Sequence, residues 1–186
     1  MSASEPAVHP VVDPDHREYV RIDCYVRSNV PAAVSDQIRA LVDRLWSLRE
    51  HGCIDDVQVS RWPPQRLLTT EAGSTRGDLV TEFEQWANRH GYSLEPGFRR
   101  RENPPAPFVV DTERREQIRV PLVALAFYED DDADALRGVV PCTERSATGD
   151  ERTYTVDGWL TAAETRAFDE PIRASQTDQP PLMERQ

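Results

Sequence analysis

Three aspartates at alternate positions, Asp130, Asp132 and Asp134, sit in the acidic run from Glu129 to Asp134. They offer carboxylate oxygens at the spacing with which a calcium-binding loop begins. The pattern then fails, because the position that needs glycine holds Ala135 and the closing glutamate position holds Pro141. The run reads as a solvated hairpin loop. His51 and Cys53, joined by Cys24 and Cys142, have the donor types of a zinc site. Structural zinc sites draw their ligands from close-spaced pairs on two knuckles, and only one such pair is present. The cysteines read as small buried hydrophobes and His51 as a helix-end cap. Asp55 and Asp56 could share acid–base work, but neighbours on a strand point to opposite faces and do not converge. No nucleophile elbow, phosphate loop or dinucleotide fingerprint occurs. The chain is read as a non-enzyme with no metal and no cofactor.

A different chemistry is offered by arginine. Arg99, Arg100, Arg101, Arg114, Arg115 and Arg119 make the most basic segment of the chain and are its candidate nucleic-acid contacts. Glu102, Asp111, Glu113 and Glu116 are interleaved with them, which leaves the segment a net charge of about +2. Interleaved signs describe an ion-paired surface; a basic element entering a groove is the alternative. If all six arginines line one face the second reading gains, and if each pairs with a carboxylate it loses.

The whole chain has the opposite sign. It carries 33 acidic against 22 basic residues, all of the latter arginine, for a net charge of −11 over 186 residues. Arginine in place of lysine is also what a GC-rich genome favours; joined to the excess of carboxylates it points to a halophilic cytoplasm, where molar salt cuts the Debye length to about 3 Å and the charge keeps the protein hydrated. Such a charge repels nucleic acid and anionic lipid unless the basic residues are segregated. The start, Met1 to Pro6, has no basic and then apolar pattern of a signal peptide, and the three cysteines form no C-x-x-C pair. Reduced thiols in a cytoplasm follow. The longest apolar run, Val120 to Phe127, is too short to span a bilayer, so no membrane partner is expected.

Several elements must position these groups. Val20, Ile22, Cys24 and Val26 alternate with polar neighbours and predict a strand over Tyr19 to Arg27. Val34, Ile38, Leu41, Val42, Leu45 and Leu48 form one helical stripe, closed by His51-Gly52. A strand over Cys53 to Trp62 follows, and a strand–helix–strand unit of this length makes a parallel crossover. Thr75 to Asp78 has the form of a capping box for a second helix with Leu79, Phe83, Trp86 and Ala87 on its core face, ending at His90-Gly91. The stretch from Tyr92 to Pro107 reads as irregular. Ile118 to Tyr128 reads as a single strand buried on both faces, with Pro121 turned outward or at a bulge. A returning strand near Arg137 to Cys142, a short strand near Tyr154 and a helix from Leu160 to Phe168 complete the domain.

The segments Tyr25-Val26-Arg27-Ser28, Ile54 to Trp62, Phe83 to Ala87, Leu122 to Glu129 and Val140-Pro141-Cys142, in this order, resemble a family of short acidic haloarchaeal proteins labelled "HTH domain-containing". The resemblance spans about residues 19 to 142 and implies salt adaptation and DNA-binding regulation. Its last hairpin turns at an acidic-Gly pair in that family, whereas the loop here is longer. A helix-turn-helix needs two helices joined by a short turn. The segment that could supply one is a helix near Pro64 to Glu71, a turn at Ala72-Gly73-Ser74, and the second helix as reader. That reader exposes Asp78, Glu82, Gln85 and Arg89, of which phosphates repel the first two.

The expectation is an α+β fold, a two-layer sandwich with two amphipathic helices on one face of a mixed β-sheet. One domain spans 18–169, between a disordered lead-in (1–17) and a disordered tail (170–186). The expected function is a non-enzymatic interaction or regulatory module acting through a protein partner or self-association. A DNA-binding regulator using the arginine segment is the alternative, and a small-molecule binder or enzyme the third.

Overall fold

The computed structural model describes residues 20–65, 74–103, 115–129, 136–145 and 151–174. The expected lead-in, the loop of Asp130, Asp132 and Asp134, Arg114, and most of the helix expected near Pro64 to Glu71 lie outside them.

The period-two pattern forms β1 (Val20–Val26), with Ile22 and Cys24 fully buried and Arg21 and Asp23 half-buried between them. The chain crosses through α1 (Ala32–Glu50) to β2 (Asp56–Arg61), which runs parallel to β1 with Val57 opposite Ile22. At the end of α1 the Nδ1–H of His51 donates to the Ser47 carbonyl (2.7 Å), and Gly52 takes φ +74°, the left-handed conformation glycine tolerates. On the other side of β1 lies β6 (Val123–Glu129), antiparallel, and beyond it β7 (Leu136–Val140). The sheet order is β2-β1-β6-β7, mixed as expected, and the class is α+β.

The helices, however, divide between the two faces of this sheet. Ile22 stands opposite Phe127, and Phe127 packs on Trp159 of α3 (Val156–Ala174), 4.9 Å between ring centroids. Tyr25, three residues on and therefore on the opposite face, packs on Phe83 of α2 (Arg76–His90). The companion of α1 is α3, tied to it by Arg44, so α1 and α2 do not share a face. The physical reason lies in β6, where every residue from Val123 to Tyr128 is buried and both sides need a cover.

Other expectations change as well. Ile118 to Tyr128 is two strands: β5 (Arg115–Arg119) pairs with β4 (Arg99–Asn103) in a separate ribbon, and the chain changes partners at Pro121, which has no N–H to continue a ladder. The stretch after α2 is not irregular, because it forms β3 (Tyr92–Ser93) and β4. The returning strand breaks at Pro141 into β7 and β8 (Cys142–Glu144), and β8 joins a small sheet, β3-β8-β9, with β9 at Arg152–Tyr154. Helix α3 runs beyond Phe168 to Ala174, into the segment expected to be a tail.

Candidate nucleic-acid interface

The β4–β5 ribbon is seated on an aromatic nest. Trp62, at the end of β2, stacks on Tyr25 (5.1 Å) and meets the edge of Phe98 (5.8 Å), and Phe83 of α2 meets Phe98 from below. The indole N–H of Trp62 donates to the carbonyl of Pro121 (3.2 Å), which ties the end of β2 to the joint between β5 and β6. Offset and edge-on ring contacts of this kind add specific geometry to apolar burial. The nest fixes where the ribbon sits.

Cross-strand register and alternation then sort the arginines. Arg99 stands opposite Arg119 and Arg101 opposite Gln117, so these four exposed side chains share the outer face of the ribbon. Arg100 and Ile118, also opposite each other, take the inner face. Ile118 is buried there, while the Arg100 guanidinium binds both carboxylate oxygens of Glu84 (2.9–3.1 Å) and the Thr81 hydroxyl (2.8 Å). Arg115 lies in β5 opposite Asn103, and Arg114 is outside the described residues. The six arginines singled out in the sequence therefore do not act as a unit. Three share an exposed face and one is consumed by a carboxylate.

Two further arginines, not singled out by the sequence, complete the surface. Arg27 follows β1 and donates to the carbonyl of Val120. Arg76 opens α2, and its Nε–H donates to the carbonyl of Pro63 (3.1 Å). Together with Asn29, Arg101, Gln117 and Arg119 they line a concavity of about 440 Å³ at the carboxyl ends of the parallel strands β1 and β2. One signal for Arg76 was available: a cation in a first helical turn opposes the helix dipole, and such a placement asks for a reason. No signal existed for Arg27, whose neighbours across the concavity come from distant parts of the chain.

Among the described residues the positive charge of this surface has no counter-charge paired to it. Burial lowers the pKa of Arg76, and the nearby charge of Arg27 lowers it further, so both effects disfavour its cation. Among the described residues no carboxylate forms an ion pair with Arg27, Arg76, Arg99, Arg101 or Arg119. The N-terminus of α2 adds its own partial positive charge at the same place. Its capping box is complete: the Thr75 N–H donates to Asp78 (2.8 Å) and the Asp78 N–H to the Thr75 hydroxyl (3.2 Å). The Thr75 hydroxyl also donates to the Asp78 carboxylate (2.6 Å), and this bond, with that from the Thr75 N–H, holds the Asp78 carboxyl below its ordinary pKa. A set of fixed guanidiniums beside a helix N-terminus is suited to anions with several oxygens, above all phosphate.

The other candidate residues lie elsewhere. Cys24 and Cys142 are buried, which pushes each thiol up to about 12, and Cys53 is exposed. Among the described residues no group of three or more His, Cys, Asp or Glu could hold a metal ion. The second helix exposes Asp78, Gln85 and Arg89, with Glu82 half-buried, so it offers no basic face to a groove. No two described helices are joined by a short turn: β2 separates α1 from α2, and strands separate α2 from α3. No helix among the described residues is long and apolar enough to cross a membrane.

A protein-family model described as a helix-turn-helix domain matches residues 14–168, which is most of the chain, and the chain belongs to that family. No curated protein and no solved structure matches it.

Proposed function

We propose that this member of a helix-turn-helix domain family is a non-enzymatic DNA-binding regulator that grips duplex phosphates with its arginine-lined concavity. The observation that carries the reading is the segregation of Arg27, Arg76, Arg99, Arg101 and Arg119, without a described carboxylate partner, in a chain whose net charge is −11. A guanidinium surface of this kind is maintained against like-charge repulsion, and an anionic partner relieves it. Bases are reached by the ribbon and not by α2. A two-stranded antiparallel ribbon fits the major groove, and its outer face presents arginine and glutamine, the side chains that make paired hydrogen bonds to guanine and adenine edges. The acidic composition and the absence of lysine support a salt-rich cytoplasm as the setting.

The test is fluorescence anisotropy of a labelled duplex, titrated over a range of KCl in which circular dichroism shows the chain folded. Wild type is expected to bind, with affinity falling steeply as salt rises. The double variant Arg101→Glu, Arg119→Glu is expected to lose about 100-fold or more at fixed salt, with a shallower salt slope. Equal binding by the double variant, or no binding by wild type at the lowest salt tolerated, would sink the reading.

A further inference from the structure

The strand β2 is the edge of the main sheet among the described residues, with β1 its neighbour on one side and no described strand on the other. From Asp55 to Arg61 the sequence reads Asp-Asp-Val-Gln-Val-Ser-Arg, a pattern symmetric about Gln58. Charges of opposite sign stand three positions either side of that centre, small polar or acidic residues two either side, and a valine on each flank. Gln58, Ser60 and Arg61 are exposed, and Val59 is 39 % exposed, unusual for a valine within a strand.

The direction of the backbone groups gives the pattern its meaning. The N–H of Trp62 donates to the Val26 carbonyl (3.1 Å), so at that position β2 faces β1. Along a strand paired in parallel, N–H and C=O of one residue point the same way, and the direction alternates. Ser60 and Gln58 therefore face β1, while Arg61, Val59 and Val57 direct their N–H and C=O groups to the open edge. In an antiparallel pair, outward-facing residues must stand opposite outward-facing ones, and both must lie on the same side of the sheet. A second copy related by a two-fold axis midway between Gln58 and its counterpart satisfies both conditions. It places Val57 opposite Val59 and Asp55 opposite Arg61, each contact occurring twice, with Gln58 opposite its own copy.

We infer that β2 is a self-recognition edge, and that a second copy of this chain pairs with it in antiparallel register centred on Gln58 to make one continuous sheet. The occupant is chosen by charge. Edge strands are ordinarily guarded by charges that repel another strand, whereas here the charges at the two ends are complementary in this register. Centring on Val59 instead would set Arg61 opposite Val57 and Asp55 opposite Pro63, with no ion pair gained. The interface is isologous, as a two-fold dimer requires, and such a dimer would offer two arginine concavities to a duplex.

The inference is tested without DNA, by sedimentation equilibrium of the full chain in KCl, so that its outcome is separate from that of the DNA reading. Wild type is expected to show a monomer–dimer equilibrium. Arg61→Asp sets like charges opposite each other and is expected to weaken the dimer about tenfold, and the exchange Asp55→Arg, Arg61→Asp is expected to restore it. Val59→Pro removes an N–H directed away from β1 and is expected to abolish pairing while the β1 ladder survives, checked by circular dichroism. A monomer throughout, a dimer unaffected by Val59→Pro, or an exchange that fails to restore pairing overturns the inference.

Discussion

Arg44 and the arginines of the concavity stand in opposite electrostatic worlds within one chain. The Arg44 guanidinium, on α1, is shared among Glu164 (2.7 and 2.8 Å), Asp157 (2.6 Å) and the Thr161 hydroxyl (3.0 Å), all on α3. Hydrogen bonding to Glu164 is the largest of the effects that raise its pKa, so the fold favours its charged form. Arg76 is pushed the other way, by burial and by Arg27. The first arrangement holds two helices together. The second leaves positive charge without a described carboxylate in a protein that has carboxylates in excess. Arginine thus stands in two settings here, and the partner set, not the residue type or its neighbours in sequence, tells them apart.

Replacing Arg44 by methionine keeps its aliphatic stem and removes the charge that joins α1 to α3. Because the group is partly solvated, a loss of about 1–2 kcal/mol is expected in urea unfolding, with duplex affinity unchanged. A loss of DNA binding with this variant would show that the two clusters are not separate.

A second variant adds a carboxylate to the concavity, whose described lining has none. Gln117→Glu places an acid directly opposite Arg101 on the ribbon. Duplex affinity is expected to fall about tenfold at low salt, while stability rises by roughly 0.2–1 kcal/mol through the new cross-strand pair. Opposite signs for binding and stability are the signature of a surface kept unpaired for a partner. A fall in both would assign Gln117 to packing instead.

The smallest effects lie in pH dependence, where two aspartates act in opposite directions. Asp78 is held below the ordinary carboxylate pKa by Thr75, so its contribution is present above the unfolded value and is lost as pH falls through the folded one. Asp23 is raised by burial, an effect only partly offset by Arg21, so its contribution is present below the unfolded value and is lost as pH rises through the folded one. In thermal melts from acid to neutral pH, Asp78→Asn is expected to flatten the rise in stability. Asp23→Asn is expected to steepen it and to raise the neutral-pH melting temperature. Parallel curves for both variants and wild type would contradict these assignments.

Features that depend on local pattern could be read directly from the residues. The period-two strand at Val20 to Val26, the stripe of α1, the capping box at Thr75 and the burial of β6 on both sides were all legible, because each is written in neighbours a few residues apart. The mixed α+β class followed from their order. The remaining features depend on residues distant in sequence and emerge only from the packed chain. The β4–β5 ribbon has almost no apolar alternation, since its outer face is polar and Arg100 on its inner face is held by Glu84. The placement of α2 opposite α1 needed α3 to cover the first face. Arg27 and Arg76 became part of one surface through the aromatic nest around Trp62. Local order fixes which elements form; burial shared among them fixes which charges meet.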